Sequence, residues 1–258
     1  MGERTEYTPG TFCWTDLTTP DQDGAKRFYS ALFGWEADDQ PVGDGIVYSM
    51  MEIDGKDVCA ISPQPQQQRE GGVPPMWNSY VSVESADDSA RRAAELGATV
   101  HAQPFDVMDV GRMAVIQDPQ GAFFEIWEPK SHMGAQLVNV PGALSWNELN
   151  SPDPQASAAF YGDLFGWEAQ TFEGMGDYLV IMNGGRSNGG IRNLDPPGMP
   201  PNWAVYFATP DIDAELAKVE ELGGTKHEGP IDIGMAKIGV VQDPQGAWFL
   251  LYDGRLED

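Results

Sequence analysis

Two hydrophobic periods alternate along this chain. Runs in which every second residue is apolar give way to runs in which apolar residues recur every three or four positions. GTFCWTDL (residues 10–17), WNSYVSV (77–83), GALSWNEL (142–149) and NWAVYFAT (202–209) predict strands, as do VYSMMEI, DVCAI, DYLVIM and the glycine-rich NGGI. FYSALFGW (28–35) and FYGDLFGW (160–167) predict the ends of two helices. Phe28, Tyr29 and Leu32, like Phe160, Tyr161 and Leu164, form a buried stripe, and Gly34 or Gly166 stops the helix. Thr19-Pro20 and Ser151-Pro152 supply the expected N-caps, each followed by proline at the first helical position. Two further helices are predicted at 86–96 and 210–222, ended by Gly97 and Gly223. Asp118-Pro119-Gln120-Gly121 and Asp243-Pro244-Gln245-Gly246 suit type I turns and predict the last hairpin of each half.

The order repeats. CWTDLTTPD and SWNELNSPD match at an offset of 132, VIQDPQGAFFEIWEP and VVQDPQGAWFLLYDG at 125. The offset shrinks across the loop PQPQQQREGGVPPMW, whose Pro/Gln/Gly-rich composition lets length change cheaply. Each half reads strand–helix–three strands twice, so four βαβββ units make up an α+β chain. Domains are expected at residues 1–134 and 142–258, with a linker at about 130–142.

Charge narrows the partners. Fifteen Lys and Arg stand against 40 Asp and Glu, a formal net charge of −25, and no segment gathers basic residues. Nucleic acid and anionic membrane both need a positive footprint and are excluded as expected partners; the acidity reads as solubility. MGERTEYTPG has no apolar signal region, no apolar run approaches a membrane span, and two cysteines, Cys13 and Cys59, make no disulfide framework. A soluble cytoplasmic monomer or homodimer is expected. His101, His132 and His227 are read as unmatched between the halves and are assigned to surface or loops.

The four units, the FYxxLFGW helix end and the DPxGxxxE-like last hairpin resemble the vicinal-oxygen-chelate superfamily, which includes glyoxalase I, extradiol dioxygenases, and fosfomycin- and bleomycin-resistance proteins. The chain is most similar to the tandem glyoxalase-like type of actinobacteria, over nearly its whole length. The resemblance implies two cup-shaped, curved mixed sheets with helices outside and chemistry on the inner face of each cup. The family's metal-ligand positions, usually His, Glu or Gln, fall on Trp14 and Trp146, near Cys59-Ala60 and Gly189-Gly190, on Asn78 and Asn202, and on Glu125 and Leu250. Trp offers no donor and Asn is weak except toward hard cations, so no metal and no other cofactor is expected.

Alternation puts Phe123, Glu125 and Trp127 on one face of the last strand of the first half. Among aromatics, Glu125 acquires a raised pKa unless a donor holds it, and Asn78 is the expected donor. The pair reads either as a satisfied buried acid or as a general acid/base. Asp16 and Glu148, two residues past Trp14 and Trp146, are a second set of acids, either ligand-binding or solvated at the rim. Trp14, Trp77, Asn78, Phe123 and Trp127 are expected to line the first cup. Trp146, Glu148, Asn202, Trp248, Tyr252 and either Trp203 or Tyr206 are expected to line the second. Such walls suit a flat apolar ligand, unless the side chains simply fill the space. The leading expectation is metal-independent binding of a hydrophobic or aromatic metabolite or antibiotic in the first cup, with the second half as a structural partner. The competing readings are a lyase or isomerase using Glu125 or Asp16, a dioxygenase-type enzyme with a non-standard metal site, and a structural or interaction protein. Whether units pair within a half or across halves is open, so Trp14 faces either Glu125 or Leu250.

Overall fold

In the first strand, β1 (Phe12–Thr19), Cys13, Thr15, Leu17 and Thr19 are fully buried on one side, and Trp14 and Asp16 point to the other. That division runs through the whole molecule. The computed structural model describes residues 2–43, 45–172 and 176–256. After β1 come α1 (Gln22–Phe33), β2 (Glu36–Gly43), β3 (Ile46–Ile53), β4 (Lys56–Pro63) and a short α2 (Gln66–Glu70) within the Pro/Gln-rich loop. The first half continues with β5 (Met76–Ser82), α3 (Ala86–Glu95), β6 (Thr99–Val107), β7 (Gly111–Gln117) and β8 (Phe123–Pro129). The second half runs β9 (Leu144–Ser151), α4 (Pro154–Phe165), β10 (Glu168–Gln170), β11 (Leu179–Asn183) and β12 (Arg186–Asn193). It ends with β13 (Asn202–Ala208), α5 (Ile212–Glu221), β14 (Thr225–Asp232), β15 (Ala236–Gln242) and β16 (Trp248–Gly254).

Units pair within each half. The two eight-stranded mixed sheets have the orders β2-β3-β4-β1-β5-β8-β7-β6 and β10-β11-β12-β9-β13-β16-β15-β14, and one is curled into a half-barrel. At each centre the first strands of the two units run antiparallel, flanked by parallel last strands. Trp14 therefore shares a sheet with Glu125, since Tyr80 pairs with both. The edge strands were the hardest to foresee: all eight residues of β2 are exposed, so no apolar pattern marks it. Among the described residues no helix is long and apolar enough to cross a membrane.

The helix starts differ from expectation by two residues. Asp21 and Asp153, not Thr19 and Ser151, are the N-caps, accepting from the backbone N–H of Gly24 and Ala156. Asp and Ser or Thr are comparable caps, and here the Thr19 and Ser151 hydroxyls instead accept from the backbone N–H of Asp21 and Asp153. Gly34 and Gly166 adopt φ 76° and 77° and close the helices as expected.

FYxxLFGW does more than pack. The Tyr29 hydroxyl donates to Asp243 Oδ2 (3.1 Å) and accepts from Trp77 Nε1 (3.1 Å). Tyr161 does the same with Asp118 Oδ2 (2.9 Å) and Trp203 Nε1 (2.9 Å). Each turn aspartate spends its other oxygen on three successive backbone N–H groups of its own DPQG turn. The repeated phrase and the repeated turn are thus two parts of one latch, closed reciprocally between the halves. Around it the cores merge: Phe28, Tyr29 and Trp35 pack with Phe207 and Phe249, and Phe160, Tyr161 and Trp167 with Phe124 and Ile126. Trp77 belongs here. Placed by sequence in the wall of the first cup, it lies on the opposite face, under α1, because its odd-numbered position shares the side of Ser79 and Val81.

Candidate functional site

On the face turned away from the helices, the first sheet builds a polar network on Asp16. Its Oδ1 accepts from Asn78 Nδ2 (2.7 Å), and its Oδ2 from the hydroxyls of Tyr48 (2.9 Å) and Tyr80 (3.0 Å). Trp14 Nε1 in turn donates to Tyr48 (2.9 Å). Cross-strand register makes this possible: Asp16 lies opposite Asn78 and beside Ala60, and Trp14 opposite Tyr80. Burial pushes the Asp16 pKa up, opposed by its three donors. Asp16 is therefore buried rather than solvated at a rim, and Asn78 serves it instead of Glu125.

Glu125 is left on its own. It is 5 % exposed, and among the described residues none donates a hydrogen bond to it. Burial, reinforced by the negative Asp16, raises its pKa well above the carboxylate range, as expected for an acid among aromatics. Trp127, two residues on, donates through Nε1 to the carbonyl of His132 (2.8 Å) and lies across Gly111, where any Cβ would overlap the indole. His132 comes from the segment joining the halves and inserts edge-on against Trp14 (4.7 Å between ring centroids) and Trp127 (5.9 Å). Its Nε2 is buried without a partner, and burial pulls its pKa down to about 4. His132, read as a surface or loop residue, does lie in the loop that joins the halves, with its imidazole turned inward against Trp14 and Trp127.

The second sheet repeats the motif with changes. Glu148 is buried and receives hydrogen bonds from Tyr178 and Tyr206, while Trp146 Nε1 donates to Tyr178 (2.9 Å). Gly190, beside Glu148, gives Tyr178 its place, since a Cβ there would overlap the hydroxyl. Arg192 Nη1 lies 3.7 Å from Glu148 Oε1 and is itself paired with Asp195 (3.2 Å). Burial raises the Glu148 pKa, with Arg192 the largest opposing influence. Asn202 does not match Asn78, as the sequence comparison had it. Ala204 occupies that register, opposite Glu148, whereas Asn202 faces Asn150 and accepts from it (3.4 Å).

At the mouths, His101 packs on Phe123 (4.8 Å) and His227 on Trp248 (4.0 Å), and each imidazole bonds a glutamine, Gln117 or Gln242. The two histidines are thus matched between halves after all, at an offset of 126 that a stricter alignment of ATVHAQ with GTKHEG would have shown. Phe123 and Trp248 are exposed rim residues, and Tyr252 is half-buried. Tyr48, Tyr80, Tyr178 and Arg192 were missed; the tyrosines recur in register between halves, a signal available in the sequence.

The donor set does not suit a metal ion. Indoles stand at two ligand positions, three donors already engage the oxygens of Asp16, and Cys59 pairs with Met51 on the helix side, away from the cup. Among the described residues no three His, Cys, Asp or Glu side chains gather to hold a cation.

A family model described as "Glyoxalase/Bleomycin resistance protein/Dioxygenase superfamily" matches residues 11–126 and 143–251. A putative glyoxylase, CFP32, of Mycobacterium tuberculosis is 42% identical over 253 residues, 96% of this chain and 97% of that protein. The anthracycline biosynthesis protein DnrV of Streptomyces peucetius is 33% identical over 266 residues, 97% of this chain and 96% of that protein. Among solved structures, the Mn(II)-bound glyoxalase from Novosphingobium aromaticivorans superimposes with a TM-score of 0.68 at 19% identity, over 96% of this chain and 83% of that one. The 2,3-dioxygenase LapB from Pseudomonas sp. KL28 does so with 0.67 at 13% identity, over 98% and 95%. At such identities the two structures show a shared fold.

Proposed function

From the premise that this chain belongs to the glyoxalase/bleomycin resistance protein/dioxygenase superfamily, we propose that its first cup binds a flat, hydrophobic or aromatic, oxygen-bearing small molecule without a metal ion. The observation that carries this reading is Glu125: a buried carboxyl on the inner face, beside Tyr80 and Trp127, with no donor among the described residues. Its raised pKa favours the protonated form, which donates a hydrogen bond to a carbonyl or hydroxyl oxygen of a ligand. Asp16, already satisfied, positions Tyr48, Tyr80 and Asn78 instead of meeting the ligand. Phe123 and the partly exposed Met113 and Met76 supply adaptable apolar wall. The anthracycline biosynthesis relatives support the ligand class, because anthracyclines are fused-ring and oxygen-rich.

The same carboxyl favours a second reading, a lyase or isomerase in which Glu125 moves a proton, since burial raises its pKa and a raised carboxyl is what a general acid needs. Thermal shift in EDTA with a neutral dihydroxyanthraquinone tests the binding reading. A ligand at 100 times its Kd stabilises by about 2.7 kcal/mol. Binding lost in Glu125→Leu and weakened in Glu125→Gln is expected. No shift with any fused-ring compound, or binding that requires an added transition metal, would sink it. Turnover lost in Glu125→Gln with binding kept would favour the enzyme.

A further inference from the structure

We propose that the second cup is a separate ligand site, for a flat aromatic molecule carrying a carboxylate or similar anionic oxygen, with Arg192 as the anion's partner and Trp248 as the stacking wall. The sequence reading made this half a structural partner because Leu250 replaces Glu125. Register gives a fuller account. Ala204 stands where the first cup has Asn78, Leu250 where it has Glu125, and Arg192 where it has Ser62. Each change alters what the cup can hold.

Ala204 places a methyl opposite Glu148 where the first cup has an amide opposite Asp16, so no side-chain donor reaches Glu148 from that position. Leu250 is half-buried where Glu125 is closed off, so this floor is more open and has no counterpart of Glu125, Glu148 being its one buried acid among the described residues. Trp248, 50 % exposed, is held face to face on His227 at 4.0 Å and 26°, which fixes one wall while leaving ring surface free. Arg192 enters from the other side, on β12, three strand spacings from β16, or about 14 Å of backbone before either side chain reaches inward.

The guanidinium has donors to give. Five N–H groups serve one long contact to the buried Glu148 and one pair with the well-exposed Asp195; the Asp195 pair lies in water, and an incoming carboxylate can replace it at little cost while the Glu148 contact stays. A bidentate Arg–carboxylate pair would then be set in a partly desolvated cup. The chain's charge of −25 disfavours anions at long range, so selection must be local; at physiological salt the Debye length of about 8 Å makes it so. Glu228, opposite Val240 on the far side, leaves the Arg192 side as the place for the negative group.

The test is calorimetric titration of the intact chain at physiological salt with 2-naphthoate and its neutral analogue 2-naphthylmethanol. Arg192→Gln is expected to weaken naphthoate about tenfold or more and naphthylmethanol less than twofold. Trp248→Ala is expected to weaken both, and Glu125→Gln neither. Absence of naphthoate binding at millimolar concentration, a change under twofold in Arg192→Gln, or loss of naphthoate binding in Glu125→Gln would overturn the proposal. Should Arg192→Gln fail to fold, the exposed Trp248 still decides: unchanged naphthoate affinity in Trp248→Ala would overturn it alone. The site stands apart from the first cup, whose anthraquinone test reads Glu125 and can fail without touching this one.

Discussion

Replacing Tyr29 by Phe removes one oxygen atom and, with it, two buried hydrogen bonds across the junction between halves. Trp77 Nε1 loses its acceptor and Asp243 Oδ2 its donor, while the three backbone bonds to Asp243 Oδ1 stay. The ring keeps its contacts with Trp35, Trp77 and Phe249, so little packing is lost. A buried polar group stripped of its partner costs about 1–3 kcal/mol. Two such groups at about 1.5 each give a loss of about 3 kcal/mol, or a fall in Tm of roughly 6–12 °C for a chain of this size. Urea denaturation of the wild type, Tyr29→Phe, Asp243→Asn and the double variant measures the loss and the coupling. Tyr161→Phe, with its equivalent bonds to Asp118 and Trp203, is expected to lose a similar amount. A loss below about 0.5 kcal/mol, or additive effects of the Tyr29 and Asp243 changes, would show that the latch follows the docking of the halves without stabilising it.

Glu125 and His132 predict opposite pH dependences. The Glu125 pKa is raised in the folded chain, so its contribution is present when the carboxyl is protonated and is lost as pH rises through the folded value. Glu125→Gln should therefore flatten the alkaline side of a Tm–pH profile and exceed the wild type there; an unchanged profile would count against a buried, unpartnered carboxyl. His132 falls from 6.5 to about 4, so its contribution is complete above 6.5 and is lost as pH drops toward 4, by up to about 3 kcal/mol. His132→Phe should remove that part of the acid limb, and an acid limb identical to the wild type's would refute it. Gly190→Ala should force Tyr178 off Glu148 and Trp146, costing about 1.5–3 kcal/mol in urea denaturation; a neutral result would mean that Tyr178 does not hold Glu148.

Most of the framework was legible because its strands and helices carry apolar stripes: β1, β5, β8 and their counterparts, and the Phe28–Tyr29–Leu32 face of α1. What escaped notice had no such stripe. β2 pairs through its backbone with every side chain in solvent, and α2 is five polar residues closing a loop. Within the site, alternation correctly put Glu125 with Phe123 and Trp127. It could not say which face of β5 is the inner one, because Trp77 and Tyr80 are both buried. Asn78 was paired with the wrong acid for a similar reason: its nearest carboxylate depends on the β1–β5 register, not on its place in a motif.

Local periodicity and the internal repeat were enough to mark four repeated strand–helix–strand units, though not every edge strand within them, the helix stops at Gly34 and Gly166, and a carboxyl among aromatics at Glu125, since each depends on residues close together in the chain. Only the tertiary structure decided that Tyr29 closes on Asp243, that His132 turns in against Trp14 and Trp127, and that Arg192 and Trp248 stand on strands to either side of the second sheet's two central ones. Those contacts join residues brought together by strand register and by the docking of one half on the other, and no spacing along the chain encodes them.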